Sequence, residues 1–317
     1  MEVAARELIL VHEAPVETRR PATREYVRDH IQIRVSLRED GGRFHAPAGS
    51  LHRSLRGRGH FYCDRTAELT VEDLAYRTLD GEPLLGRLYR PADAQALVVE
   101  VHGGAWTAND RTTNTAIHHH LAAGGVAVFA LDFRLAPAHR YPAGIEDVSY
   151  GIRWIKANAA RLGLRARLVG GLGTSSGGQQ VTLAALRYDD PKYTAPEASL
   201  GAHDGRLDFV VACWPILDPL ARYRMAREKG LKNLVEAHHA FWPDEQAMAE
   251  GNPQLVLERG EASATPPMLV LQGTADQNVE HERAERFAQA YRAAGGELEL
   301  VKFAGEPHNF VAKDPAA

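Results

Sequence analysis

Cysteine is scarce in this sequence of 317 residues, in which only Cys63 and Cys213 occur. Two cysteines so far apart in the chain form neither the disulfide framework of a small secreted protein nor the paired spacing of a zinc site. We therefore expect both thiols to be reduced and the protein to be cytoplasmic.

Long apolar runs and a strong net charge are also missing. No run approaches the roughly 20 residues that a membrane-spanning helix needs. The first apolar run, Leu8–Val11, is too short for the core of a secretory signal peptide. A net charge of −4 is too small to favour nucleic acid or an anionic membrane surface as a partner. We expect neither kind of partner.

Lysine is absent from the first 65 residues, which hold 12 arginines and nine acidic residues. Arginine-rich arms can bind nucleic acid, but acids interspersed in this way favour a solvated, partly docked extension. Within it, Ile31–Arg38 alternates apolar and polar residues, which predicts a half-buried strand. We predict an N-terminal arm over residues 1–65 and a main domain over residues 66–317.

From about Ala67 onward, short apolar segments alternate with helical ones. Eight strands are predicted, at Leu74–Leu79, Leu85–Arg90, Leu97–Val101, Val126–Leu131, Leu168–Leu172, Asp208–Cys213, Met268–Gln272 and Leu298–Phe303. The first two flank a tight-turn pair, Asp80-Gly81, and form a hairpin. Helices are predicted near Arg111–Ala123, Gly144–Arg161, Gly178–Arg187 and Glu280–Ala294. This pattern indicates an α/β protein with a mostly parallel sheet covered by helices on both faces.

The sequence GTSSGG, at Gly173–Gly178, follows one predicted strand and precedes a predicted helix. A serine on so tight a strand-to-helix turn leaves no room for a Cβ two residues before or after it. The hydroxyl of Ser175 would then stand clear of the backbone, with the next N–H at the positive end of the helix. Ser175 is the candidate nucleophile.

A second motif, HGGAW at His102–Trp106, directly follows the strand Leu97–Val101. Glycines at the carboxyl end of a strand let backbone N–H groups face a ligand at close range. The N–H groups of Gly103, Gly104 and Ser176 are therefore candidates for an oxyanion hole, although an ordinary glycine turn explains the pair as well. His102 precedes this turn and is better explained as an organiser of the loop than as a base.

An acid and a base follow the last two predicted strands. Asp276 comes after Met268–Gln272, and His308 after Leu298–Phe303. Catalytic groups in open α/β sheets gather at this edge, and the order Ser, Asp, His is typical of hydrolases with such sheets. Taken singly, Asp276 could be a helix cap and His308 a surface residue. Asp218, after an earlier strand, is a weaker candidate acid.

Together these motifs resemble those of an α/β-hydrolase esterase of the hormone-sensitive-lipase-like group. The resemblance runs from about Glu72 to Phe310, and it also includes the sequence DFRLAP at Asp132–Pro137. It implies the α/β-hydrolase fold, with a helical cap over a Ser-Asp-His site. By the same resemblance, Asp147 and the sequence YPA at Tyr141–Ala143 are structural features.

The chain departs from that group at three positions. Ala105 stands where the oxyanion motif usually has a third glycine, and the resulting HGGxW form is closer to that of arylformamidases and some feruloyl-esterase-like hydrolases. Thr174 and Ser176 replace the commoner Asp and Ala beside the nucleophile. These changes leave the implied mechanism intact, but they make the subfamily, and with it the substrate class, less certain to assign from the motifs.

The segment after the sixth predicted strand is too long for a simple connection, and we predict a cap insertion over residues 214–262. Its aromatic residues predict a substrate pocket lined by Trp106, Trp214, Phe241 and Trp242. Packing within the cap explains the same residues equally well. The runs His118–His120 and His238-His239 lie on predicted helices, where consecutive side chains diverge and cannot converge on one metal ion.

The function that these residues predict is a serine hydrolase that cleaves short-chain carboxylic esters through an acyl-enzyme on Ser175. Such a reaction needs no metal and no organic cofactor. The alternatives are an arylformamidase-like amidohydrolase with the same triad and, from another class, a non-catalytic binder on this fold, which the presence of His308 argues against. The expected partner is a small ester. The sequence leaves open whether the protein forms a homodimer.

Overall fold

The computed structural model describes residues 7–10, 35–38, 69–92, 94–194, 200 and 203–310. In the arm, strand β1 (Glu7–Leu10) pairs antiparallel with β2 (Val35–Arg38), so the end of the predicted strand Ile31–Arg38 is extended. The rest of residues 1–65, Ile31–Arg34 included, lies outside the described residues. The boundary between arm and main domain stays a prediction.

An eight-stranded sheet forms the centre of the main domain, as predicted. Its strands are β3 (Leu69–Leu79), β4 (Glu82–Pro91), β5 (Ala96–Val101), β6 (Val126–Leu131), β7 (Leu168–Thr174), β8 (Val210–Cys213), β9 (Met268–Gly273) and β10 (Leu298–Phe303). Their spatial order is β10-β9-β8-β7-β5-β6-β4-β3. The β3–β4 and β4–β6 pairs are antiparallel, and the other pairs are parallel.

Helices cover both faces of this sheet, which explains why its central strands are mostly apolar. Along β5, residues Leu97, Val99 and Val101 enter one core cluster, while Ala96 and Val98 enter the other. The first cluster includes residues of α2 (Ala143–Asn158), α3 (Ser176–Leu186) and α8 (His281–Ala293), and the second includes residues of α1 (Thr115–Ala123). Because successive side chains of a strand point to opposite faces, a strand between two cores has no position for solvent.

The segment between β8 and β9 folds into four short helices: α4 (Pro219–Glu228), α5 (Lys232–Phe241), α6 (Glu245–Glu250) and α7 (Pro253–Glu258). Side-chain oxygens of Asp218, Asp244 and Asn252 accept backbone N–H groups at the starts of α4, α6 and α7. Such caps satisfy N–H groups that the first turn leaves free. These helices fall within the predicted insertion 214–262, whose role as a cap stays a prediction. No helix of the described part of the chain is long and apolar enough to cross a membrane.

The fully buried carboxylate of Asp147, on α2, ties three parts of the domain together. One oxygen pairs with Arg77 of β3 at 2.5 Å. The other accepts the backbone N–H of Arg134 at 2.9 Å and its Nε–H at 2.8 Å. Two cations therefore share one buried anion, and removing that anion would take a buried partner from both of them.

We expect Asp147→Ala to lower the free energy of unfolding by about 3–5 kcal/mol, because Arg77 and Arg134 would lose their buried counter-ion. The matched control is Glu146→Gln, which removes a more exposed partner of Arg134 and should cost below about 1 kcal/mol. Urea unfolding of both variants measures the difference. Equal small losses would show that the buried carboxylate does not organise this part of the fold.

Candidate active site

Ser175 lies at the turn between β7 and α3, with a backbone φ of 51° and ψ of −115°. Positive φ is strained for a residue with a side chain, and it persists where the surroundings hold it. The neighbouring glycines are required by close approaches. A Cβ on Gly173 would lie 2.5 Å from the carbonyl oxygen of Gly177, and one on Gly177 would lie 2.0 Å from that of Val101. The pattern of glycines therefore matches the turn that the sequence predicted.

The structure brings Ser175, His308 and Asp276 together at the carboxyl ends of β7, β10 and β9. The distance from His308 Nε2 to Ser175 Oγ is 3.0 Å, and that from His308 Nδ1 to Asp276 Oδ2 is 2.7 Å. The Asp276 side chain is fully buried, and Ser175 retains 8% of its surface. Chemically, this is a hydroxyl, an imidazole and a carboxylate in one hydrogen-bonded chain.

Asp276 is held ionised by its hydrogen bonds. Burial acts to raise the pKa of its carboxyl, but the hydrogen bond and charge of His308 and the N–H groups of Val279 and Asn278 outweigh burial, so the pKa lies below its usual 3.8. Both N–H groups donate to Oδ1 at 2.8 Å, and Gln272 Nε2 donates to Oδ2 at 3.0 Å. A carboxylate fixed in this way accepts the Nδ1–H of His308 and sets the tautomer that leaves Nε2 free to accept a proton.

Asp218, the weaker candidate acid, has a different task in the structure. Its Oδ1 accepts the backbone N–H of Ala221 at 3.0 Å and the side-chain amide of Asn252 at 2.8 Å. It therefore caps α4 and ties that helix to the start of α7.

In the glycine loop after β5, one of the three predicted oxyanion donors already has a hydrogen-bond acceptor. The N–H of Gly103 donates to Thr174 Oγ1 at 2.9 Å and so is already paired. Within the described residues, no acceptor pairs with the N–H of Gly104, of Ser176 or of Ala105. The sequence did not indicate Ala105 as a candidate donor, because the pairing of Gly103 involves a residue 71 positions away in the chain.

His102 is buried against this loop. Its Nδ1 lies 2.7 Å from the carbonyl oxygen of Gly103, to which it donates, and its ring stacks on Phe133 at 4.4 Å. This position suits the predicted role as an organiser of the loop.

The four aromatic residues that were predicted to line a substrate pocket are packed in the core, and each is at most 1% exposed. Trp106 stacks on Phe241 at 5.1 Å and meets Trp242 edge-on, which joins the loop after β5 to α5. Trp214 lies beside His308, with ring centroids 6.3 Å apart. Almost none of the surface of these four rings is therefore exposed to solvent. The structure thus favours the alternative explanation, packing, and contact with substrate stays a prediction.

From the sequence, Arg222, Arg224 and Arg227 could form a charged clamp for an amino-acid-like substrate or, equally well, a solvated helix face. In the structure Arg222 of α4 is buried and lies close to the acid. It is 1% exposed and donates through Nε to the carbonyl of Asn278 at 3.1 Å and through Nη2 to the side chain of Asn278. Burial lowers the pKa of its guanidinium to about 10, and the charge of Asp276 opposes this effect. The group stays cationic at neutral pH and braces the loop that carries Asp276.

The arrangement of a serine elbow, a histidine, a buried aspartate and a glycine loop on this sheet defines an α/β hydrolase. Residues 88–291, more than half of the chain, match the BD-FAE family model, and the chain belongs to that family.

Curated relatives are esterases. Esterase LipC of Mycobacterium tuberculosis is 30% identical over 232 residues, which cover 71% of this chain and 56% of LipC. The ethyl acetate hydrolase of Pseudomonas putida is 29% identical over 252 residues, which cover 76% of each protein. Carboxylesterase NlhH of Mycobacterium tuberculosis is 29% identical over 263 residues, which cover 77% of this chain and 76% of NlhH.

Solved esterase structures share the fold. Carboxyl esterase 2 from the fungus Tuber melanosporum has a TM-score of 0.65 at 21% identity, over 79% of this chain and 82% of that one. Butyrate-bound esterase Est2 from Thermogutta terrifontis has a TM-score of 0.61 at 25% identity, over 76% and 85%. The family model and the curated esterase relatives show that the chain is a carboxylic ester hydrolase, and its motifs resemble those of the hormone-sensitive-lipase-like group.

We expect Asp276→Asn to lower kcat/KM for p-nitrophenyl butyrate by about 10³–10⁴-fold, because an amide cannot hold the histidine in the required tautomer and stabilise its cation. Asp218→Asn is the matched control. Asparagine caps helices as well as aspartate does, so this variant should keep near wild-type activity. The reverse pattern would assign the acid to Asp218.

Proposed function

We propose that this protein hydrolyses short-chain carboxylic esters through an acyl-enzyme on Ser175, with His308 and Asp276 as the other members of the triad. The observation that carries the proposal is the hydrogen-bonded chain from Ser175 Oγ through His308 to Asp276, at 3.0 and 2.7 Å.

In the first half of the reaction, Ser175 Oγ attacks the ester carbonyl while His308 Nε2 takes its proton. The tetrahedral oxyanion then forms beside the N–H groups of Gly104, Ala105 and Ser176, which have no other acceptor within the described part of the chain. Asp276 stabilises the imidazolium, which gives its proton to the departing alcohol. An acyl group remains on Ser175.

In the second half, His308 accepts a proton from water as the water attacks the acyl carbonyl. The second tetrahedral intermediate uses the same N–H groups. It collapses with return of the proton to Ser175 Oγ and release of the carboxylic acid. Each proton that His308 takes up is returned within the cycle, so the chemistry needs no external acid.

Short acyl chains, from acetyl to hexanoyl, are the proposed substrates. In support, one relative is named for ethyl acetate, and solved structures of Thermogutta terrifontis Est2 hold propionate and butyrate. A cytoplasmic location and a choice between monomer and homodimer stay predictions.

An arylformamidase-like activity is the second candidate, and Ala105 in the HGGxW form of the loop favours it. An amide nitrogen must be protonated as it departs, so that activity needs His308 aligned with the nitrogen. The alkoxide or phenoxide of an ester leaves more readily than an amide nitrogen, so ester hydrolysis tolerates looser alignment of His308. The non-catalytic alternative is disfavoured by His308, which lies within hydrogen-bonding distance of Ser175.

We expect Ser175→Ala to lower kcat/KM for p-nitrophenyl butyrate by about 10³-fold or more, because the nucleophile is lost. Mass spectrometry of the wild type, quenched during turnover, should find the butyryl group on the peptide that contains Ser175. Ser263→Ala, an exposed serine between α7 and β9, is the control and should behave as wild type. Retained activity in Ser175→Ala would exclude this serine as nucleophile.

A comparison of kcat/KM for p-nitrophenyl butyrate with kcat/KM for N-formylkynurenine, measured on one enzyme preparation, distinguishes ester hydrolysis from formamide hydrolysis. We expect the ester to be favoured, because its leaving group needs less help from His308. In a series of p-nitrophenyl esters, the rate should fall beyond hexanoyl. A formamide value equal to or above that of the ester would favour the arylformamidase-like activity.

A further inference from the structure

The two hydroxyl-bearing residues that flank the nucleophile both accept hydrogen bonds from the loop after β5. Thr174 Oγ1 accepts the N–H of Gly103 at 2.9 Å. Ser176 Oγ accepts the N–H of Trp106 at 3.3 Å. Both ends of the loop are thereby joined to the serine elbow, and the N–H groups of the two residues between them stay available for an oxyanion.

This loop needs to be held, because its backbone is strained. Gly104, Ala105 and Trp106 have φ values of +116°, +53° and +64°. Positive φ disfavours residues with side chains, and two of them stand in succession here. A strained conformation persists only when its surroundings enforce it. The two hydroxyls act on the backbone of the loop, and the indole N–H of Trp106 adds a bond to Gln179 Oε1 at 2.9 Å.

A buried polar chain stands behind Thr174. Asn114 Nδ2 donates to Thr174 Oγ1 at 3.1 Å and to Glu100 Oε1 at 2.8 Å. Glu100 Oε2 lies 3.0 Å from Nε2 of His118, on α1. All four side chains belong to buried residues, and Glu100 lies within the otherwise apolar strand β5. Burying a carboxylate is costly unless it is paired, and the reaction steps above do not use this one.

We propose that Thr174 and Ser176 are positioning residues that fix the oxyanion donors through their hydroxyls, and that Asn114 and Glu100 hold Thr174 in place. The proposal rests on the proposed function, since it concerns the same site. It assigns a role to the two departures from the family pattern that stand on either side of Ser175.

Displacement of the oxyanion donors raises the free energy of the tetrahedral intermediate more than that of the bound substrate. Loss of a positioning hydroxyl should therefore lower kcat with little change in KM, since the lost interaction is made only in the transition state. Affinity for an inhibitor that forms a tetrahedral adduct should fall in parallel. A merely structural defect would lower the amount of folded protein and leave the remaining molecules with wild-type kcat.

The variants are Thr174→Val, which keeps the shape and removes the acceptor, and Thr174→Ser, which restores a hydroxyl. Ser176→Ala removes the acceptor at the other end and carries the test if Thr174→Val does not fold. Thr182→Val is the matched control. Thr182 is buried in α3, the helix that begins at Ser176, and its hydroxyl has no partner among the described residues.

We measure kcat and KM for p-nitrophenyl butyrate and Ki for an alkyl trifluoromethyl ketone, with active sites counted by complete fluorophosphonate labelling. Thr174→Val and Ser176→Ala should each lower kcat per labelled site by about 10–10²-fold, with KM within about threefold and the Ki raised in proportion to the loss in kcat. Thr174→Ser should recover most of the rate, and Thr182→Val should match wild type.

Wild-type kcat per labelled site in both Thr174→Val and Ser176→Ala would overturn the inference, as would a loss confined to KM. The proposed function would still stand in either case, provided that the label lies on Ser175. A label on another residue would overturn the proposed function itself. Asn114→Leu tests the support behind Thr174. A kcat about tenfold lower at unchanged KM agrees with that support, whereas wild-type kcat would remove Asn114 and Glu100 from the proposal.

Discussion

The close approach of α3 to the end of β5 is the constraint on which the site depends. Gly177 lies so near the carbonyl of Val101 that a single added carbon would overlap it. This contact places the strained turn of Ser175 directly beside the loop that begins at His102. Nucleophile and candidate oxyanion donors are therefore neighbours because two backbones touch, and side chains refine a proximity that the backbone already provides.

The parallel sheet then determines which other groups can join. Strands β7, β9 and β10 end at the same edge, so residues 133 positions apart in sequence come within a hydrogen bond of one another. The loops that follow these strands carry their own supports. Asp276 is fixed by two N–H groups of its loop and by Gln272 at the end of β9. Alignment of the imidazole is thus a property of short, local loops anchored on a rigid sheet.

Much of the fold and of the candidate site was predictable from the sequence, because the sequence patterns that indicate them are local. The strands were found from apolar runs, and the turn of Ser175 from glycines that steric contact requires. What escaped prediction depends on long-range pairing. The pairing of Gly103 with Thr174 and the buried position of Arg222 involve partners 71 and 56 positions away. The aromatic rings were ambiguous for a different reason, since a pocket wall and a packed core select the same residue types.

Arg222 links two parts of the molecule that sequence places far apart. Helix α4 belongs to the segment between β8 and β9, and its buried guanidinium holds Asn278, whose N–H in turn holds Asp276. Any outward movement of α4 would withdraw those hydrogen bonds and bring a buried cation toward water. Displacement of α4 would therefore also weaken the support of the carboxylate that orients the imidazole, so the alignment of His308 depends on the position of a helix that lies between β8 and β9.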